Sequence, residues 1–563
     1  MQYKTLAGLA ASTLLAACGS DGTVELVRLT EARGASLGSC TDLNTRFSFA
    51  NTTIDSAATI ASGTLTLGGK PINEHCLVKG SMFKRTGSDG REYAIGFEMR
   101  LPKDWNGRYY YQANGGLDGS VVTAQGALGG GPLTGALAQG FAVISSDAGH
   151  TGAQTTAFGF EPVARLDYGY QAVGKLTPMA KGLIKTAYGK EPDRSYIGGC
   201  SNGGRHAMVA AARYPDQYDG FLAGAPGYNL PKAAVANIWG SQQLAKIMTA
   251  GATVPNGTGT IPDLASGFTA AERAMVGKKI LDKCDSLDGI TDGLVQDTAA
   301  CQRTFSIAAD VPTCSAARDG SCLTAAQKTV VADTFVGAKT AAGAAIYSNF
   351  WFDPGIAGSG WGVWKNVNSI ALDPLAAGTV FRAAPAFIAN SLTVSVDDLN
   401  TGIYATSATY TEAGMTFMTP PNATNLAALK LRGAKMMVYH GVSDPIFSAA
   451  DTATWYSGLA ANNNGDASNF ARFYAVPGMN HCSGGPTVDQ FDMLTPLVNW
   501  VEKGIAPDSV VATGRGAGNA GGVNAEMPSD WAASRTRPLC PYPKVAKYSG
   551  TGDKESAASF SCQ

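Results

Sequence analysis

From Tyr93 to Leu101 apolar and polar side chains alternate with the two-residue period of a half-buried strand, and Tyr109–Gln112 and Phe141–Ser145 are short apolar or aromatic runs. Leu176–Tyr188 changes to helical spacing. Ser195–Ile197 is a short strand running into Gly198-Gly199-Cys200-Ser201-Asn202-Gly203-Gly204, and the alanine-rich stretch Arg205–Arg213 is helical again, ending ahead of Pro215. Lys435–His440 and Phe473–Val476 predict further strands, and Thr495–Lys503 an amphipathic helix. Strands and helices in alternation, with glycine at the strand ends, predict an α/β fold on a mainly parallel sheet. From about Tyr228 to Lys430 the alternation lapses, and Trp239, Trp351, Trp361 and Trp364 stand among alanine- and glycine-rich segments. The expected organisation is a leader at 1–18, a first part of the main domain at 19–228, an inserted lid domain at 229–430 and the second part of the main domain at 431–563.

Composition narrows the functions open to such a fold. Charged residues are 15%, net charge is −1 and there is no run of lysine or arginine, so neither nucleic acid nor an anionic membrane surface is an expected partner. Met1-Gln2-Tyr3-Lys4 followed by the apolar stretch Thr5–Ala17 has the layout of a signal peptide. Leu15-Ala16-Ala17-Cys18 also fits a lipobox, which would make a lipid on Cys18 the one membrane attachment; the expected location is periplasmic, outer-membrane or secreted. Of the 11 cysteines, setting Cys18 aside leaves an even number for disulfides in an oxidising compartment. Spacing suggests Cys40–Cys76, Cys284–Cys301, Cys314–Cys322 and Cys540–Cys562, which leaves Cys200 for Cys482. Zinc is the competing use of cysteine, and no C-x-x-C spacing occurs.

Gly199-Cys200-Ser201-Asn202-Gly203 fits G-x-S-x-G, the nucleophile elbow, in which small neighbours let a serine sit on a tight strand-to-helix turn. The helix start and the Asn202 amide would face a developing oxyanion. The alternative is a glycine-rich turn with a solvent-facing serine. A serine nucleophile needs a base, and the histidines are His75, His150, His206, His440 and His481. In the order Ser, Asp, His of α/β-hydrolases the base comes last, which favours His481 in the turn after Phe473–Val476. His206 follows Ser201 on the same helix, and His440, at a strand end, reads as a core or supporting histidine. Asp444 leaves strand Lys435–His440 and is the expected acid; Asp451, Asp489 and Asp492 are rivals, read as solvated surface acids. A Cys200–Cys482 bridge would join the residue before Ser201 to the residue after His481.

With these motifs the chain resembles the tannase and feruloyl esterase family, through Gly199–Gly204, Tyr218–Lys232, Gly441–Thr452, Pro477–Pro486 and Arg535–Tyr542. The resemblance implies an α/β-hydrolase core with a large inserted lid and hydrolysis of small aromatic acid esters, terephthalate-type monoesters first and feruloyl or gallate esters as the alternative. It implies a second oxyanion donor at Gly116 and a calcium ion in the lid, held by Asp285, Asp288 and Asp292 and the backbone oxygens of Ile290 and Leu294. Phe447, Trp364 and Phe381 would line the substrate pocket, and Arg382 would anchor a substrate carboxylate. A monomer is expected. The reading from another class is a non-catalytic lipoprotein that keeps the fold to bind aromatic ligands.

Overall fold

The computed structural model describes residues 28–563; the leader and Cys18 lie outside them. Nine strands form the main sheet: β1 (Thr52–Ile60), β2 (His75–Thr86), β3 (Glu92–Pro102), β4 (Arg108–Gln112), β5 (Ala142–Ser146), β6 (Arg194–Cys200), β7 (Gly220–Gly224), β8 (Lys435–Gly441) and β9 (Ala471–Val476). Their order is β9-β8-β7-β6-β4-β5-β3-β2-β1. The six strands from β9 to β5 pair in parallel and β3, β2 and β1 continue antiparallel. This is the mainly parallel sheet that the alternation predicts and the α/β-hydrolase type of core that the resemblance implies, with antiparallel strands β3, β2 and β1 at one edge.

Side chains alternate across the sheet as the strand period demands. Tyr109, Tyr111, Ile197, Phe221, Ala223, Met436 and Val438 enter one core, with α1 (Ala172–Tyr188), α2 (Asn202–Arg213) and, further along the chain, helix Ala449–Ala461. Their neighbours Tyr110, Tyr196, Leu222, Met437 and Tyr439 enter the core on the opposite face, under helix Leu494–Lys503. Full burial of a leucine or phenylalanine is worth about 1.5–3 kcal/mol of transfer free energy, so these two layers fix where the strand ends stand. Edge strand β9 is covered by the C-terminal segment, where the Tyr542 amide donates to Phe473 O at 2.7 Å.

Between β7 and β8 the chain makes its large excursion. It begins with α3 (Leu230–Ala245), passes a hairpin (Thr253–Asn256 with Gly259–Pro262), and continues through α4 (Ala270–Cys284) and α5 (Ala325–Val336). A core of its own, including Leu264, Val276, Ile280, Phe305, Val331, Ile356 and Trp361, holds this insert together. Five disulfides close the molecule: Cys40–Cys76, Cys200–Cys482, Cys284–Cys301, Cys314–Cys322 and Cys540–Cys562. Among the described residues no helix is long and apolar enough to cross a membrane.

Candidate active site

Ser201 sits between β6 and α2 with φ 66° and ψ −126°, a conformation side chains rarely adopt, and its amide is held by Gly224 O at 2.9 Å. The turn closes because its neighbours lack side chains. A Cβ on Gly199 would lie 2.1 Å from Ala113 O, and one on Gly203 2.3 Å from the same oxygen. The serine is thereby pushed out at the carboxyl end of the parallel strands, at the start of α2.

His481 donates from Nδ1 to Asp444 Oδ2 at 2.7 Å. Because a carboxylate only accepts, the proton is on Nδ1 and Nε2 carries the free lone pair. Nε2 is buried and has no hydrogen-bond partner among the described residues. The other Asp444 oxygen accepts the amides of Ile446 and Phe447 at 2.9 and 3.0 Å. His440 also reaches the carboxylate, Nε2 lying 3.2 Å from Asp444 Oδ2 and 3.0 Å from Phe447 O, with Nδ1 on Thr452 Oγ1 at 2.9 Å. Burial by itself would raise the Asp444 carboxyl; the two histidines, by charge and hydrogen bonds, hold it well below the usual carboxylate range.

The disulfide ties these parts together. Cys200 and Cys482 are 282 positions apart in sequence and 6.0 Å apart at Cα, so the residues on either side of the bridge, Ser201 and His481, belong to one cluster. The histidine turn is gripped from the insert as well. Asn480 Nδ2 donates to Gly355 O at 2.9 Å and its Oδ1 accepts the Trp361 amide at 3.2 Å. Buried Asp353 accepts from Ser443 Oγ at 2.6 Å and from the Gly478 amide at 3.1 Å, which joins the acid and base turns.

Gly116, at φ 63°, Ser201 and Asn202 line one narrow cavity with Leu117, Tyr168, Leu230, Trp364, Leu372, Asp373, Ala376, Phe381, Ile446 and Phe447. Trp364 and Phe447 stand edge-on to the His481 ring, at 5.1 and 5.4 Å between centroids. A closed circuit of hydrogen bonds connects the Gly116 loop with α2. Tyr168 Oη donates to Gly116 O at 3.1 Å, Arg205 donates to Tyr168 O at 3.0 Å and to Asn202 Oδ1 at 2.6 Å, and Asn202 Nδ2 donates to Asp118 Oδ2 at 2.8 Å. His206 completes it at 3.0 Å from Asp118. All of these side chains are buried, and burial, against the charge of Arg205 and aided by Asp147, raises Asp118 well above the usual carboxylate range. Nothing in the spacing of Asp118, Tyr168 and Arg205 marks this circuit, because the fold alone brings the three together.

Several expectations change. Arg382 is not among the cavity-lining residues; its backbone carbonyl accepts from Arg165 at 2.9 Å, and the adjacent Phe381 is the residue that faces the cavity. Asp451 and Asp489 are not surface acids: Asp451 is buried against Tyr228 and Asn229, and Asp489 is buried on Arg515 at 2.6 Å. Asp492 caps the helix at Leu494–Lys503 through the Leu494 amide at 2.8 Å.

In the loop expected to hold calcium, Asp285, Asp288 and Asp292 are all buried. Asp285 accepts the amides of Asp292 and Gly293 at 3.1 and 2.9 Å, and Asp288 those of Ile290 and Gln296 at 3.2 and 3.3 Å. Asp292 is paired with Arg537 in the C-terminal segment. Asp285 and Asp288 have no cationic side chain in salt-bridge contact among the described residues. Among those residues no three acidic, histidine or cysteine groups stand close enough to share one ion.

The family model for tannase and feruloyl esterase matches residues 76–563. Mono(2-hydroxyethyl) terephthalate hydrolase of Piscinibacter sakaiensis is 38% identical over 551 residues, 91% of this chain and 89% of that protein. A probable feruloyl esterase B-1 of Aspergillus fumigatus is 29% identical, over 85% of this chain and 84% of that one. The crystal structure of feruloyl esterase B from Aspergillus oryzae superposes with a TM-score of 0.72 at 24% identity, covering 92% of this chain and 98% of that chain. The chain belongs to the tannase and feruloyl esterase family and is a carboxylic ester hydrolase.

Proposed function

We propose that the cavity at Ser201 hydrolyses small aromatic acid esters through an acyl-enzyme, with Ser201 as nucleophile, His481 as base and Asp444 as its acid. The observation that carries the reading is the His481–Asp444 hydrogen bond at 2.7 Å joined by the Cys200–Cys482 bridge to a serine on a strained elbow. His481 Nε2 takes the Ser201 proton as Oγ attacks the ester carbonyl, and the Gly116 and Asn202 amides receive the oxyanion. His481 then protonates the departing alcohol, and a water activated by the same nitrogen releases the acid. Residues 229–430 act as the lid, supplying the aromatic wall from Trp364 and Phe381 opposite Phe447. A fluorophosphonate should label Ser201 stoichiometrically; a wild-type protein that stays unlabelled would be a binding protein on the same fold.

The relative at 38% identity is named for a terephthalate monoester, which makes that ester the first substrate to assay. Hydroxylated aromatic esters of the feruloyl kind are the second reading, favoured by the absence of Arg382 from the cavity wall and the presence there of Asp373. Relative kcat/KM on the two ester types decides between them.

Five disulfides support export to an oxidising compartment, and thiol alkylation of protein isolated from cells should find no free cysteine among these ten. Calcium at the 285–294 loop is supported by the chemistry of the donors, buried Asp285 and Asp288 with the carbonyls of Ile290 and Leu294, while Asp292 is engaged by Arg537. Chelation should lower Tm by several degrees, reversed by Ca2+ and not by Mg2+; an unchanged Tm with no metal in the purified protein counts against it.

A further inference from the structure

Apart from the reaction centre at Ser201 and Asn202 and Tyr168, whose hydroxyl is spent on Gly116 O, the lining of the Ser201 cavity is apolar or aromatic at every position but Asp373. Asp373 is 5% exposed, and its Oδ2 has no hydrogen-bond partner among the described residues. A buried carboxyl oxygen left without a donor is costly and rarely tolerated without a use. Behind it stands a support that keeps it in place. Asn237 on α3, near enough to Asp373 to favour its charged form, accepts from Lys365 Nζ at 3.3 Å, and that ammonium lies 4.0 Å over the Phe350 ring. Burial pulls Lys365 down to about 8, against the charge of Asp373, and lifts Asp373 to about 8, against the charge of Lys365. The three residues are therefore a polar group built into an apolar wall, with one acceptor atom unused.

We propose that Asp373 is a substrate-selecting subsite whose Oδ2 accepts a hydrogen bond from a hydroxyl group of the ester substrate, with Asn237 and Lys365 positioning the carboxyl. The inference rests on the Ser201 cavity being the ester site and names the chemistry that this site selects. A hydroxyl supplies the missing donor, whereas a free carboxylate on the substrate brings no donor to Oδ2 and finds no arginine on the cavity wall. The hydroxyl can sit on the aromatic acid or on the alcohol; the chemistry at Asp373 is the same.

Two matched pairs of esters separate these sources: methyl 4-hydroxybenzoate against methyl benzoate, and 2-hydroxyethyl benzoate against ethyl benzoate. The wild-type enzyme should prefer the hydroxylated member of one pair by roughly 3–10-fold in kcat/KM, the scale of one buried hydrogen bond, and the pair that shows it locates the hydroxyl. In Asp373→Asn that ratio should shrink, and in the double variant Asp373→Leu, Lys365→Met, which removes both buried ionisable groups together, it should fall to near one. Turnover of all four esters without a preference in either pair, or a preference that survives both variants, would overturn the subsite while leaving the ester site standing. Absence of turnover on every ester, or turnover retained in Ser201→Ala, would instead sink the reading of the cavity on which it rests.

Discussion

The two sides of the cavity are built on different principles. On the sheet side, Gly116, Ser201 and Asn202 come off the carboxyl ends of parallel strands β4 and β6; the Ser201 turn is set by backbone contacts at Gly199 and Gly203 too close for any side chain, and the Gly116 loop is tied to it by the buried Tyr168–Arg205–Asn202–Asp118 circuit. On the insert side, Trp364 and Asp373 hang from one helical run over residues 359–380 that switches between α- and π-type turns, and Phe381 follows its end. The first side has few ways to vary without losing the reaction. On the proposed mechanism the second can change its residues while the reaction continues, which would assign chemistry to the sheet and selection to the insert.

The contrast can be broken by mutation. Ser201→Ala should lower kcat by roughly 10⁴-fold or more with Tm preserved; measurable turnover of an aromatic ester would show that the nucleophile lies elsewhere. Asp444→Asn should follow at about 10⁴-fold, because an amide no longer holds His481 in the required tautomer, and steady-state kinetics on the same ester read it. Asp118→Asn should cost about 10- to 100-fold in kcat with KM nearly kept, less than outright loss of an oxyanion donor, since the circuit slackens but both amides remain; an equal rise in KM would point to a general loss of structure. Arg382→Ala, on the insert but off the cavity wall, should change kcat/KM on a terephthalate monoester by less than about twofold, and a selective large loss would restore the carboxylate anchor expected from sequence.

The legible parts of the molecule were those with local physics. Strand β3, helix α1 and the glycine elbow each declare themselves within a dozen residues, through a period or a turn that only certain residues can make. β7, Gly-Phe-Leu-Ala-Gly, has too few positions to show a period, and edge strand β1 carries little apolar pattern because both its faces are half exposed. Asp451 and Asp489 look like ordinary surface acids in sequence; what buries them, Tyr228 with Asn229 and Arg515, arrives from distant parts of the chain. The same holds for Asp373, whose significance depends on Asn237 and Lys365 closing behind it. Phe381 and Arg382 were both expected at the pocket, and of the two only Phe381 lines the cavity, since adjacent residues after the helical run over 359–380 point in different directions.

The insert leaves from the end of β7 and returns at the start of β8, two strands that lie side by side in parallel register from Gly220 beside Lys435 to Gly224 beside Tyr439. The sheet is thus already joined across the place where some two hundred residues are spliced in, and no strand of it is contributed by the insert. Such an arrangement makes the core a socket. Related chains can exchange or resize the segment between these two strands without disturbing the order of the sheet, which gives the fold a ready route to new substrates through recombination at two neighbouring joints.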